Sequence, residues 1–79
     1  MYIPTLDPIL VGKTVTYFRK KKNISQEVLS GLADIGRTHL SAIERGERKP
    51  TLETLFKIAD ALNVKPSIII EAIEKEIKK

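Results

Sequence analysis

One face of a short predicted helix carries side chains that could bind a ligand: Arg37, Thr38, Ser41, Ala42 and Arg45. At about 100° per residue these positions fall within roughly 140° of one another, whereas Leu40 and Ile43 lie on the opposite side. An ordinary exposed helix prefers Glu, Lys and Gln, so short polar side chains between arginines favour close approach to another molecule. Such a face can hydrogen-bond to base edges in a major groove about 12 Å wide, and its arginines can bind phosphates.

The sequence lacks the side chains that catalysis or metal binding would need. His39 is the one histidine, there is no cysteine, and neither paired carboxylates nor a Gly-rich phosphate loop is present. A nucleophile, a base and an orienting group cannot be assembled from these residues, and without cysteine there is no thiolate metal site. We therefore expect no enzyme, no cofactor and no metal. His39 is either an exposed helical residue or the neighbour of a phosphate.

Composition points to a single soluble domain with an affinity for polyanions. Fourteen Lys and Arg against ten Asp and Glu give a net charge of +4 over 79 residues, and the whole excess lies in residues 1–65. Positive charge attracts nucleic acid, although lysines kept for solubility would give the same balance. Residues 1–7 do not resemble a signal peptide, and no apolar run approaches the roughly 20 residues of a membrane span. We expect a cytoplasmic protein with no membrane partner and no small-molecule ligand.

Five helices and no strands must position this face. Capping residues, prolines and glycines mark where each helix begins and ends. They predict helices over residues 8–22, 26–33, 37–45, 52–62 and 66–78. In the turn before the third helix we expect Asp34 in a left-handed conformation and Ile35 pointing inward. Because the turns are short, the helices must pack closely, which predicts one compact all-α domain over residues 1–79.

The fourth and fifth helices carry apolar stripes. On the fourth helix one continuous stripe is predicted from Leu52, Leu55, Phe56, Ala59 and Leu62. On the fifth, Ile69, Ile70, Ile73 and Ile77 line one side, with Glu and Lys opposite. The first four helices already carry enough apolar side chains to form a core, so we expect part of the isoleucine stripe to face a second copy of the chain. The alternative is that residues 66–79 simply cap their own monomer.

Glu44 differs from its neighbours on the third helix. A carboxylate on a surface offered to phosphates would repel them, but its helical angle, about 340° from Arg37, places it beside Leu40 near the packed face. We therefore expect Glu44 to point inward.

Residues 25–46, SQEVLSGLADIGRTHLSAIERG, resemble the Xre type of helix-turn-helix, the family of the lambda-like phage repressors and Cro proteins. In that family a glutamine opens the second helix and the third ends in Glu-x-Gly, and Gln26, Glu44 and Gly46 occupy these positions. The likeness extends over residues 11–64. It implies a compact, five-helix lambda-repressor-like fold whose second and third helices form the helix-turn-helix.

The resemblance also implies roles for single residues. Base contacts are expected from Arg37, Thr38, Ser41 and Ala42. Phosphate contacts are expected from Gln26, Arg45, Arg48, Lys49 and Thr51, and the alternative for the last four is a solvated basic loop. His39 is added to the phosphate contacts because of its position beside this face and not because of the resemblance. Arg19 matches the arginine that pairs with the family's glutamate, which implies a structural Arg19–Glu44 ion pair.

The function expected from this resemblance is that of a small transcription regulator, a repressor or autoregulator, similar to the stand-alone controllers of compact operons. A homodimer formed through Ile69, Ile70, Ile73 and Ile77 would set two recognition helices about 34 Å apart on a pseudo-palindromic operator in double-stranded DNA. RNA polymerase is a further partner to be tested. The alternative is an antitoxin-like module that sequesters a partner protein.

Overall fold

The computed structural model describes residues 6–78, and within them the chain forms five α-helices and no strand. The helices are α1 (Pro8–Lys21), α2 (Gln26–Ala33), α3 (Arg37–Glu44), α4 (Leu52–Ala61) and α5 (Pro66–Ile77). Each end lies within one residue of its predicted position, so the all-α architecture is confirmed. Residues 1–5, most of the segment considered for a signal peptide, lie outside the described residues. No helix over residues 6–78 is long and apolar enough to cross a membrane.

Side-chain caps explain where three of the helices begin. The side-chain oxygens of Asp7, Ser25 and Thr51 each accept a hydrogen bond from a backbone N–H two or three residues later, at 2.9–3.1 Å. The turn between α2 and α3 also has its predicted form, because Asp34 is left-handed with φ of 56° and Ile35 packs against the core. Together these features set the direction in which α3 leaves α2.

The core is built from one side of every helix, and α3 is anchored in it. Leu40 and Ile43 have no exposed surface, and they join buried side chains of the other four helices: Val11, Val15, Leu29, Ala33, Leu55, Ile58, Ala59, Leu62, Ile69 and Ile73. Helix α3 packs against both α1 and α2. Its outer face is therefore presented by a helix whose inner face is held on two sides.

The predicted stripe on α4 is wrong at two positions. Leu52 and Phe56 are more than half exposed, while Leu55 and Ala59 are buried together with Ile58. Phe56 lies about 100° around the helix from Leu55, beyond the edge of the buried face. Leu52 is the first residue of α4 and borders an open groove rather than the closed core.

The predicted isoleucine stripe on α5 also needs correction. Ile69 is 0% exposed and Ile73 is 6% exposed, because α5 packs these side chains against α1 and α4 within its own monomer. Ile69 is therefore not available to a second subunit. Ile73 is buried as well. Ile70 is 46% exposed and Ile77 is half-buried, so of the predicted stripe these two residues can face outward.

Candidate nucleic-acid interface

The outer face of α3 brings the predicted base-contacting residues together. Arg37 and Thr38 are exposed in the first turn, and Ser41 and Ala42 are half-buried in the next. Arg37, Thr38, Ser41 and Arg45 line a shallow depression of about 210 Å³. The depression is lined by guanidinium and hydroxyl groups, which are the donors and acceptors used for reading base edges. We call this surface, formed by Arg37, Thr38, Ser41, Ala42 and Arg45, the recognition face.

Close backbone packing against α1 holds the recognition face in place. A Cβ added at Gly12 would lie 2.3 Å from the carbonyl oxygen of Ile43 and 2.7 Å from that of Glu44. Only glycine lets α1 approach the last turn of α3 this closely. Sequence reasoning missed Gly12, since a glycine inside a helix pattern does not reveal which backbone will lie against it.

Glu44 is the polar centre of the site and points inward as predicted. Its carboxylate accepts four hydrogen bonds from side chains of two helices, α1 and α2: from Arg19 Nε at 2.8 Å, Arg19 Nη2 at 3.0 Å, Thr16 Oγ1 at 3.0 Å and Gln26 Nε2 at 3.1 Å. The predicted Arg19–Glu44 ion pair is thus present, with side chains 12% and 4% exposed. Arg19 Nη1 also donates to the Ile24 carbonyl at 2.9 Å. Through this network α1, α2 and α3 are fixed to one another.

The network determines the charge of Glu44. Burial on its own raises the pKa of the Glu44 carboxyl, but the hydrogen bonds from Arg19, Gln26 and Thr16 lower it further, and the net pKa lies below the ordinary value of 4.5. The carboxylate is therefore ionised at neutral pH. Its charge is matched by Arg19 and is not presented at the surface.

Gln26 lies at the first position of α2, where exposed backbone N–H groups and the helix dipole favour a phosphate. Its side-chain amide already donates one hydrogen bond to Glu44. An amide nitrogen carries two hydrogens, so this bond leaves a donor for the phosphate contact predicted from the sequence. The bond also gives Gln26 a role in the scaffold that the sequence reasoning did not foresee.

The other predicted phosphate ligands lie on α3 and in the segment that follows it, and two of them, Lys49 and Thr51, line a groove between α4 and α5. Arg48, Lys49 and Thr51 are exposed in the segment after α3, and His39 is half-buried on α3. The Thr51 hydroxyl accepts from the Thr54 N–H at 3.1 Å and donates to the Thr54 hydroxyl at 3.0 Å. Because this hydroxyl is occupied, a phosphate contact by Thr51 would use its backbone N–H.

Glu47 is a second carboxylate beside the recognition face, and sequence reasoning missed it. Its two oxygens accept from Arg45 Nε at 2.7 Å and Arg45 Nη2 at 3.0 Å, while Arg45 Nη1 donates to the Ser41 hydroxyl. Gly46, predicted to end α3, was the available signal, because a glycine at a helix C-terminus turns the next residue back towards the helix.

Over residues 6–78 no group of three or more His, Cys, Asp or Glu side chains could hold a metal ion.

The chain matches a helix-turn-helix family model over residues 15–69. It is 41% identical over 64 residues to the control protein C.BamHI of Bacillus amyloliquefaciens, which covers 80% of this chain and 79% of that protein. The restriction-modification controller C.AhdI of Aeromonas hydrophila has a similar structure, with a TM-score of 0.78, 31% identity, and coverage of 82% of this chain and 98% of that chain. A point mutant of the controller C.Esp1396I, solved bound to its highest-affinity operator site, gives a TM-score of 0.85 at 31% identity, covering 95% and 99%. These relatives favour the regulator over the antitoxin-like alternative.

Proposed function

This chain belongs to the Xre-like helix-turn-helix family of DNA-binding transcription regulators, and we propose that it regulates transcription as a homodimer bound to a pseudo-palindromic operator. The observation that carries the proposal is the recognition face. Its hydrogen-bonding side chains are presented outward by a helix whose opposite side is fully buried. A rigid helix with such a face can enter the major groove without rearrangement. The comparison with C.Esp1396I supports operator DNA as the ligand.

The roles proposed for single residues follow from their positions on α3 and around it. Arg37, Thr38, Ser41 and Ala42 read base edges, since they are nearest to the groove when α3 enters it. Six residues bind the backbone and set the register: Gln26, His39, Arg45, Arg48, Lys49 and Thr51. Glu44 and Arg19 take no part in contacts with DNA and hold the recognition face in position.

The dimer is proposed to form around an open apolar groove between α4 and α5. The groove has a volume of about 440 Å³, and its lining includes Leu6, Leu52, Leu55, Ile70 and Ile77. Exposed apolar surface of this kind is stabilised when a second copy covers it. A two-fold axis here would present the two α3 helices to successive major grooves, about 34 Å apart. The corrected interface therefore keeps Ile70 and Ile77 and adds Leu52.

Regulation would follow from occupancy of the operator. A dimer bound over a promoter blocks RNA polymerase, and one bound beside it can position the enzyme, so we include RNA polymerase as a proposed partner. We also propose that the protein acts in the cytoplasm, where it can reach operator DNA and RNA polymerase.

Selection of bound duplexes from a random DNA pool, followed by mobility-shift titration, tests the proposal. We expect one selected sequence with two half-sites and a dissociation constant of about 10⁻⁸ to 10⁻¹¹ M that weakens with salt. Arg37→Ala should relax the base preference at one position of each half-site, whereas Arg48→Ala should weaken binding to all sequences alike. An Arg37→Ala protein that selects the same sequence as the parent would contradict the base-reading role.

A further inference from the structure

Glu47 follows the glycine that ends α3, and its backbone is fixed to that helix. Gly46 adopts φ of 78°, which is a left-handed conformation. The Gly46 N–H donates to the Ile43 carbonyl at 3.0 Å, and the Glu47 N–H donates to the Ala42 carbonyl at 2.9 Å. This pair of bonds is the Schellman motif, which closes a helix C-terminus. The position of Glu47 relative to the recognition face is therefore set by the backbone.

The exposure of Glu47 distinguishes it from the other carboxylate of this segment. Between Arg37 and Thr51 the acidic residues are Glu44 and Glu47. The side chain of Glu44 is 4% exposed, whereas that of Glu47 is 60% exposed. Glu47 is thus the carboxylate that this segment presents to solvent, at the edge of a surface proposed to meet phosphates. On its own such a charge would oppose the binding of DNA.

Glu47 forms an ion pair with Arg45. Both of its oxygens accept from the Arg45 guanidinium, at 2.7 and 3.0 Å, and the third guanidinium nitrogen donates to Ser41. The hydrogen bonds from Arg45 keep the pKa of Glu47 below its ordinary value, so the carboxylate remains charged at neutral pH. In the free protein all three nitrogens of Arg45 are engaged and its charge is neutralised locally.

We propose that Glu47 is a specificity-determining residue. It keeps Arg45 paired when the protein meets DNA of the wrong sequence, and it releases Arg45 for contact with DNA at the operator. The inference rests on the proposed function. Binding to non-operator DNA depends on phosphate contacts, which release counterions from the DNA, and Arg45 makes no such contact while it stays paired with Glu47. At the operator, base contacts dock α3 closely, and Arg45 exchanges Glu47 for a direct contact with DNA. The exposed pair is weak, so the base contacts made only at the operator are enough to drive the exchange, whereas at other sequences Arg45 stays with Glu47. An unfavourable charge that matters more for the wrong ligand raises specificity.

Replacing the charge while keeping the shape tests this idea. We compare the parent, Glu47→Gln and Glu71→Gln on two duplexes: the sequence selected from the random pool and an unselected random-sequence duplex. Glu71 is the matched control, because it too has a side chain 60% exposed and an ion pair, with Lys75 at 3.6 Å, but lies on α5. In Glu47→Gln we expect the salt slope on the random duplex to steepen by about 0.9, which makes the affinity fall about 3.5-fold more between about 50 and 200 mM salt. Affinity for the selected duplex should rise less, so the ratio of the two affinities falls.

Three outcomes separate this inference from the proposed function. If Glu47→Gln and Glu71→Gln change both affinities equally, net charge alone is responsible and the inference fails. If Glu47→Gln weakens binding to the selected duplex without strengthening binding to the random one, Glu47 positions Arg45 for DNA and the inference is again wrong. A parent protein that binds neither duplex would instead overturn the proposed function. As a further check, Glu47→Gln in an Arg45→Gln background should lose its effect on the salt slope.

Discussion

Removing either partner of the Arg19–Glu44 ion pair should destabilise the domain strongly. Changing Glu44 to Met leaves the Arg19 side chain, which is 12% exposed in the parent, with its bond to the Ile24 carbonyl as the remaining one of three. Breaking a buried pair in this way costs about 3–5 kcal/mol, and the small residual exposure of Arg19 favours the lower end. A domain of this size is stable by about 5–15 kcal/mol, so a loss of about 3 kcal/mol should lower the melting temperature by roughly 12–24 °C.

Arg19→Met should cost less than Glu44→Met, because Gln26 and Thr16 still donate to the carboxylate that remains. The double variant should be more stable than the sum of the two losses predicts, since an apolar pair strands no charge. We expect a coupling free energy of about 1.5–3 kcal/mol.

Urea unfolding followed by far-ultraviolet circular dichroism gives the four free energies of this cycle. Protein concentration must be the same for all variants, because dimerisation would itself stabilise the folded state. The exposed Glu71–Lys75 pair on α5 is the control, and its cycle should show a coupling of no more than about 0.5 kcal/mol. If the losses at Arg19 and Glu44 add, with coupling below about 0.5 kcal/mol, the pair does not hold α1 to α3 and the reasoning is refuted.

Three further predictions follow from packing, titration and exposure. Gly12→Ala should lower the unfolding free energy and weaken DNA binding, because the added Cβ would meet the backbone of α3. Gly31→Ala should instead raise the unfolding free energy by about 1 kcal/mol, because nothing lies within 4 Å of the added Cβ. Equal changes in melting temperature for the two variants would contradict this contrast. The pKa of Glu44 is lower in the folded state than its ordinary value of 4.5. The ionised carboxylate therefore contributes its full share to the unfolding free energy above about pH 4.5, and this share is lost as the pH falls through the lower folded-state pKa. Acid titration should therefore show the gap in stability between the parent and Glu44→Gln narrowing below about pH 4.5, and a gap that stays constant would be evidence against the depressed pKa. Leu52→Lys and Ile70→Lys should yield monomers in sedimentation velocity with an unchanged helical spectrum, and dimers that persist in both variants would place the interface elsewhere.

Helix positions could be predicted from the sequence because their determinants are local. Asp7, Ser25 and Thr51 form caps with residues two or three positions away, so each signal and its partner lie in one short segment. The division of α3 into an inner and an outer face is also local, since it follows from helical periodicity. For the same reason the inward direction of Glu44 could be inferred from its angle alone.

Contacts between helices could not be predicted in this way. Periodicity shows that Ile69 and Ile70 lie on an apolar stripe, but it does not distinguish burial in the same monomer from burial against a second copy. Ile69 proved to be fully buried within the monomer and Ile70 half exposed. Gly12 was missed for a related reason, because its importance depends on a carbonyl oxygen that is 31 positions later in the chain, at Ile43.

Ion pairing reduces the number of positive side chains that can attract DNA below the number that the net charge suggests. The value of +4 counts every arginine equally, yet Arg19 is neutralised by Glu44 in the interior and Arg45 by Glu47 at the surface. Within residues 6–78, Arg37, Arg48 and Lys49 form no ion pair, so these cations can attract phosphates of any sequence without a competing carboxylate. In the proposed exchange, Arg45 joins them only after it has left Glu47. The electrostatic affinity for DNA is therefore determined by which arginines are already paired, and a count of positive residues overestimates how many of them act on non-operator DNA.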